Sequence, residues 1–525
     1  MSDRSRPLAI VESLIDKIRT LSGWRRLAVA AAFGAFGATA FPPFYFFPAL
    51  LLSYVALIVL LDGCAEHTHL LRRAALTGWS YGFGFFLLGL HWIGYPFLVN
   101  AEAHAWLMPF AIVLLPAGLG LFFALSGALC GRFWRPGPQR VFLFAASFAL
   151  VEWLRGHILT GFPWNLPGYG WGASTASLQS TSVFGVYGLS LLTLLLGASL
   201  VLTVSSERCR WLPLGMIGFF LLLWANGTVR LTFARDETVP GVQLRIVQPA
   251  TLQSEKYLPE FRNRNWERLT ELTKSPAEIT PTHIIWPEAA PPFPLAQQEN
   301  ALREIAAILG DQRILLTGAV RVTEDDDVTD FYNSFYILGE GGRILATYDK
   351  FHLVPFGEYL PFERTLNSWG VTQIGGGVSG FSEGPGPQTF GVPGAPPMGP
   401  LICYEVIFPG AVTSDTRPGW LVNITDDSWF GPDAGPSQHL LIARVRAIEE
   451  GLPIARAANA GISVIVDGYG RIRSRLELGA RGILDGPLPV ALPATPYSRF
   501  GETIFFLLIF LCSSAAFLPL RGKRT

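Results

Sequence analysis

With 525 residues, 50% of them hydrophobic and only 15% charged, the chain is too apolar for an ordinary soluble protein, and a large part of it belongs in lipid. Forty Lys and Arg residues balance forty Asp and Glu residues, so no global charge directs it to nucleic acid or to an acidic partner.

In chain order, the first 26 residues carry Arg4, Arg6, Lys17, Arg19, Arg25 and Arg26, with a Leu/Ile spacing that suits a short amphipathic helix at a membrane surface. Apolar stretches long enough to cross a bilayer follow near 27–45, 47–62, 76–98, 106–130, 141–157, 183–204 and 211–228, and a last one covers 500–519. No small-residue cleavage pattern follows the first of them, so it reads as a retained span. A cytoplasmic N-terminus puts Arg72 and Arg73, then Arg132, Arg135 and Arg140, then Arg208 and Arg210, and finally Arg521, Lys523 and Arg524 on one side, as the positive-inside rule requires. The sequence therefore divides into a region 1–234 with seven transmembrane helices, an exported region 235–490, and a segment 491–525 holding the last span and a basic cytoplasmic tail.

Between 235 and 490 the texture is that of a globular α/β domain. Strand-like runs at 242–247, 284–286, 314–319, 401–403, 420–423, 454–457 and 463–466 alternate with helical patterns at 260–273, 297–309 and 437–450. A hairpin joins 331–338 to 343–348 through Gly339-Glu340-Gly341-Gly342, and the Gly- and Pro-rich stretch 375–400 reads as a long surface loop.

Three residues in this region are of complementary chemical type, and each closes a predicted strand. Cys403 ends the apolar run Gly399-Pro400-Leu401-Ile402, Glu288 ends Ile284-Ile285-Trp286-Pro287, and Lys350 follows Tyr348-Asp349. A thiol, a carboxylate and an ammonium suggest a nucleophile, its base and a clamp for a developing oxyanion. In the topology above, Cys64, Cys130 and Cys209 fall on the inner side and Cys512 within the last span. Cys403 is then the only exported cysteine, with no intrachain partner in a compartment that favours disulfides, and such a thiol is buried or used. Glu358 and Glu405 either hold Lys350 charged and oriented or sit in ordinary salt bridges. His283, His352 and His439 lack metal-ligand spacing, so no metal is expected. Trp92, Tyr95, Phe162, Trp164, Tyr169 and Trp171 suit a bilayer interface. Glu152 and Arg155 are placed to pair with each other or with a lipid head group. Gly and Pro flank Trp429 and Phe430, which fits a flexible lid.

The order Trp286-Pro287-Glu288, then Asp349-Lys350-Phe351-His352-Leu353-Val354-Pro355-Phe356-Gly357-Glu358, then Cys403-Tyr404-Glu405 resembles the Glu-Lys-Cys triad of the nitrilase (carbon-nitrogen hydrolase) superfamily. Together with the apolar spans, Thr160-Gly161-Phe162-Pro163-Trp164 and Asn423-Ile424-Thr425-Asp426-Asp427-Ser428-Trp429-Phe430-Gly431, the chain resembles the apolipoprotein N-acyltransferase family of bacterial inner membranes. The resemblance implies an αββα sandwich attached to an α-helical transmembrane domain of about eight spans, with the sandwich periplasmic and both termini cytoplasmic. It implies that a phospholipid, typically phosphatidylethanolamine, donates an acyl chain to the α-amino group of a diacylglyceryl-cysteine on an apolipoprotein. The route is a Cys403 thioester with ping-pong kinetics, without cofactor, in a monomer that meets membrane lipids and no nucleic acid. On the matching positions Glu288 is the base, Lys350 the stabiliser and Cys403 the nucleophile, Glu358, Tyr404 and Glu405 support them, and Trp429 and Phe430 belong to a lid. Tyr257, in Gln253-Ser254-Glu255-Lys256-Tyr257, stands where the family often has Trp. An anchored amidase using water as acceptor is the alternative, because the triad alone does not choose between water and an amine.

Overall fold

The computed structural model describes residues 5–66, 68–135, 137–205, 209, 211–325, 328–368 and 380–518. The basic residues Arg4, Arg208, Arg210, Arg521, Lys523 and Arg524 and the stretch 375–379 lie outside the described residues. The chain forms two compact units. One gathers Met1–His91, Pro109–Phe233 and Arg499–Thr525, and the other gathers Trp92–Met108 and Ala234–Ser498.

The first unit is helical, with apolar helices over Gly23–Ala38, Phe47–Ala65, Leu70–Gly89, Gln139–His157, Thr181–Ser199, Trp211–Thr232 and Thr503–Phe517, besides Met108–Phe133. Among the described residues, four stretches are long and apolar enough to cross a membrane: Phe47–Ala65, Ala101–Phe133, Thr181–Ser199 and Trp211–Thr232. Leu70–Gly89 and His91–Val99 make a fifth if their 67° bend counts as one span. The eight expected spans are not reached on these criteria. Gly23–Ala38 and Thr503–Phe517 have only 16 and 15 residues, against the roughly 20 a straight crossing takes. Gln139–His157 carries Arg140, Glu152 and Arg155. The span expected at 76–98 breaks at Leu90, and the one expected at 27–45 ends at Ala38.

Glycines let these helices approach to backbone distance, the means by which helices associate where no hydrophobic effect drives them together. A Cβ at Gly34 would stand 2.0 Å from the Tyr81 carbonyl oxygen, and one at Gly84 would stand 1.9 Å from that of Ala31, which fixes Gly23–Ala38 against Leu70–Gly89. Arg155 is fully buried and donates to Glu152 and to the carbonyl oxygens of Phe162 and Trp164. Glu152 and Arg155 therefore pair with each other.

The second unit is built on two six-stranded sheets. Its strands are β1 (Thr238–Gln248), β2 (His283–Ile285), β3 (Ile314–Asp325), β4 (Val328–Leu338), β5 (Ile344–Asp349), β6 (Phe390–Val392), β7 (Ala395–Ile402), β8 (Trp420–Ile424), β9 (Ile454–Ala457), β10 (Ser463–Val466), β11 (Ile472–Leu476) and β12 (Gly482–Pro489). The first sheet has the order β12-β1-β2-β3-β4-β5, the second β11-β10-β9-β8-β7-β6. β1, β2 and β3 run parallel, as do β7, β8 and β9. The sheets face each other, with β1 against β9, β12 against β10 and β4 against β7. On the first sheet lie the helices Arg262–Lys274 and Glu299–Leu309, whose Leu269, Ala301, Ile305 and Leu309 close a core with Val247, Ile284, Trp286 and Leu315. Each such side chain taken from water contributes about 1.5–3 kcal/mol. The helix Ala434–Glu450 accompanies the second sheet and stops where Gly451 takes a left-handed φ of 66°.

One expectation is corrected here. The segment read as loop to residue 400 contains β6 and the start of β7. Prolines are tolerated there because their carbonyls still accept: Pro396 from the Trp420 indole at 2.9 Å and Pro397 from the Gly419 amide at 2.7 Å. Beyond the turn after β10, β12 crosses to the other sheet and pairs antiparallel with β1.

Candidate active site

Parallel strands on both sheets deliver their C-terminal ends to one place. Glu288 follows β2, Lys350 follows β5, and Cys403 follows β7 from the facing sheet. Cys403 sits at the sharp junction between β7 and the short 3₁₀ turn Cys403–Ile407, with a φ of 50°. Such a left-handed conformation is costly for a residue with a Cβ and persists only where its surroundings hold it.

Glu405 supplies much of that hold. One carboxylate oxygen accepts the Ile402 amide at 2.7 Å, just before the cysteine. The other accepts the Phe351 amide and the Tyr348 hydroxyl, each at 2.8 Å, and so ties the turn to the segment bearing Lys350. Burial raises the Glu405 carboxyl to about 7 despite these donors. Glu405 thus reaches the segment bearing Lys350 through the Phe351 amide and the Tyr348 hydroxyl. Tyr404 packs its ring against Phe408 and His352, which stack on each other at 3.6 Å.

Glu358 does pair with Lys350. The ammonium lies 2.8 Å from Glu358 Oε1 and 3.6 Å from Glu288 Oε1. Asn333, at the middle of β4, donates from one amide nitrogen to both carboxylates, at 2.7 Å to Glu288 and 2.9 Å to Glu358. The second Glu288 oxygen accepts the Asp426 amide at 2.9 Å, and the second Glu358 oxygen accepts the Val354 amide at 2.8 Å. Glu288, Lys350 and Cys403 are all buried.

Burial sets the electrostatics. It pushes the Glu288 carboxyl up, against the pull of Lys350. It pushes the Cys403 thiol up as well, the Glu288 carboxylate adds to the rise, and Lys350 and a hydrogen bond with Thr425 oppose it. Lys350 goes the other way, since burial would lower it but Glu358 and Glu288 hold it firmly protonated. Burial thus favours the neutral thiol at Cys403, while Lys350 stays a fixed cation beside it.

Beneath the cysteine lies a polar layer that the sequence reading missed. Asp427 accepts Thr425 and His439 at 3.0 Å each and Arg456 at 2.7 Å, and all four are buried. Burial alone would raise the Asp427 carboxyl, but Arg456 and His439 hold it down to about 2. The only signal in the sequence was the run Thr425-Asp426-Asp427, which carries no spacing that names its partners.

Trp429 and Phe430 are half-buried on the short turn Asp427–Phe430 that follows β8. Phe430 lies against the Trp92 ring at 4.7 Å and the His439 ring at 5.5 Å. The Trp92 indole donates to Gln438 at 3.1 Å and the Tyr95 hydroxyl to Asp433, so part of the aromatic set expected at the interface braces this loop. Tyr257 is exposed, its ring 5.9 Å from the Lys256 ammonium.

Residues 243–493 match the family model described as carbon-nitrogen hydrolase, the class that this two-sheet fold and its cysteine turn define. Residues 33–199 match that described as the apolipoprotein N-acyltransferase N-terminal domain. The chain is 41% identical to an apolipoprotein N-acyltransferase of Rhodopseudomonas palustris, over 93% of this chain and 94% of that one. It is 40% identical to one from Bradyrhizobium diazoefficiens over the same shares, and 39% identical to one from Brucella melitensis over 98% and 100%. The chain belongs to the apolipoprotein N-acyltransferase family.

Proposed function

We propose that this protein transfers an acyl chain from a phospholipid, phosphatidylethanolamine being the expected donor, to the α-amino group of the diacylglyceryl-cysteine of apolipoproteins. The observation that carries the mechanism is the buried Lys350 ammonium, 2.8 Å from Glu358 and 3.6 Å from Glu288, with Glu288 and Cys403 buried beside it.

Glu288 takes the Cys403 proton as the sulfur attacks the ester carbonyl. The tetrahedral oxygen develops its charge near Lys350. Collapse breaks the ester bond, the lysophospholipid oxygen leaves with the proton from Glu288, and the acyl group remains on sulfur as a thioester. In the second half the incoming amine attacks the thioester and gives its proton to Glu288. The amide forms, and the sulfur departs to recover the proton. Because a thioester in water hydrolyses, the loop bearing Trp429 and Phe430 is read as the cover that excludes water.

Residues 1–234 and 491–525 are read as eight spans of a bacterial inner membrane, with both termini cytoplasmic and residues 235–490 periplasmic. Basic residues on the loops of one side support that orientation. The short helices Gly23–Ala38 and Thr503–Phe517 then cross with their flanking residues included. A monomer suffices, since Glu288, Lys350 and Cys403 come from one chain.

The test uses purified full-length protein incubated with phosphatidylethanolamine of defined chains. A fatty-acyl mass on the Cys403 peptide, removed by hydroxylamine and discharged by a diacylated lipopeptide, is the expected result. Conversion of diacylated to triacylated lipopeptide by Cys403→Ala would overturn the covalent route.

A further inference from the structure

Lys256 lies in the segment Gln253-Ser254-Glu255-Lys256-Tyr257, away from every strand and helix, yet its ammonium is buried. It donates to two acceptors, the backbone carbonyl of Glu288 at 3.0 Å and Asp426 Oδ2 at 2.6 Å. Asp426 in turn gives its own amide to the Glu288 carboxylate at 2.9 Å. Its other carboxylate oxygen is fixed by the Asn459 amide at 2.8 Å and by the Ser428 hydroxyl. Glu288 is thus gripped at both ends, its main chain by Lys256 and its side chain by the residue that Lys256 holds.

A buried ion pair is a poor source of stability, because desolvating two charges costs as much as their attraction returns. Its retention beside an acid/base group calls for another reason. We infer that Lys256 and Asp426 are a positioning pair for Glu288, fixing the orientation of the base and balancing its charge at Cys403. This rests on the reading of Glu288 as the base: Lys256 meets only its main-chain carbonyl, and Asp426 meets its carboxylate through a backbone amide. Lys256 keeps its charge: burial would lower the ammonium, and Asp426, with Tyr257 and Glu288, raises it instead. The charged and titratable groups facing Glu288 are then Lys350, Glu358, Lys256, Asp426, Tyr257 and Cys403, with the Asn333 amide beside them.

Opposite substitutions test it in the full-length chain. Alkylation of Cys403 by iodoacetamide, followed on the Cys403 peptide across pH, reads proton loss from the coupled thiol and carboxyl without any lipid. Lys256→Met removes a cation, so the acidic limb of the alkylation rate should move up by about one pH unit, a tenfold loss at a fixed pH below it. Asp426→Asn leaves the Lys256 charge uncompensated, so the limb should move down. A purely structural pair would not give shifts of opposite sign. Limbs that stay in place, or that move in the same direction, overturn the inference. Should Lys256→Met fail to fold, Asp426→Asn decides alone, and an unmoved or raised limb is the overturning result. Failure of the wild type to form an acyl-enzyme with phospholipid is a separate outcome, which would count against the transferase reading and leave the alkylation profile to be judged by itself.

Discussion

The Lys350 ammonium sits 2.8 Å from Glu358 and 3.6 Å from Glu288, so the closer of its two ion pairs is with Glu358. In the proposed mechanism, that inequality leaves Glu288 free to act as base while the cation stays where an oxyanion needs it.

Replacing Glu358 should therefore harm chemistry through Lys350. Glu358→Gln keeps an oxygen for the Val354 amide but removes the anion, and Lys350 then turns to Glu288. Acylation of Cys403 in a single turnover should fall on the order of 100-fold, or about 2.7 kcal/mol of barrier. An unchanged rate would show that the pair only fills space.

Glu405 makes stability depend on pH. Its carboxyl rises from 4.5 to about 7 in the fold, so between those values the native state holds a proton that the unfolded chain has released. That contribution is complete below pH 4.5 and is lost as pH climbs through 7, at up to ~1.4 kcal/mol per unit. Comparing melting temperatures across this window, Glu405→Gln should be flatter than the wild type; parallel curves would sink the idea.

Asp427 behaves with the opposite sign. Held down to about 2, it contributes stability above its ordinary value of 3.8 and loses it only in strong acid. Asp427→Asn leaves Arg456 buried without its charge partner, which should cost about 3 kcal/mol and lower the melting temperature at neutral pH. A midpoint equal to the wild type would contradict this.

Gly431 has a φ of 65°, and a Cβ there would stand 2.4 Å from the Tyr95 ring. Gly431→Ala combines backbone strain of about 1–3 kcal/mol, since φ 65° with ψ −172° is open essentially to glycine alone, with a clash, so the turn bearing Trp429 and Phe430 must shift. Tryptophan fluorescence should change and thioester hydrolysis in the absence of amine should quicken. Retention of both wild-type values would remove this loop from the proposed role.

How much of this was legible beforehand follows from the physics of each feature. The strand-like runs expected at 284–286, 343–348 and 401–403 end within one residue of the observed ends at 285, 349 and 402, because short β-rich runs bounded by turn residues are a local signal, and the residues that follow carry the resemblance. Pairing, by contrast, is not encoded locally. Nothing in the spacing said that Glu405 would staple the Cys403 turn while Glu358, eight residues after Lys350, took the ammonium. The polar layer of Asp427, His439 and Arg456 escaped for the same reason, as its members are brought together only when β8, β9 and the helix Ala434–Glu450 pack. β7 was missed in part because proline normally argues against a strand, and only its neighbours decide whether its carbonyls are used.

The sequence by itself determined that the chain is partly lipid-bound, that an α/β region follows the apolar one, and that Glu288, Lys350 and Cys403 close strands, since composition and periodicity are local properties. Only the tertiary structure decided which carboxylate holds the lysine, which one braces the cysteine turn, and that Lys256 reaches Glu288. Those depend on distances between residues far apart in the chain, which the packing of two sheets sets and no single segment contains.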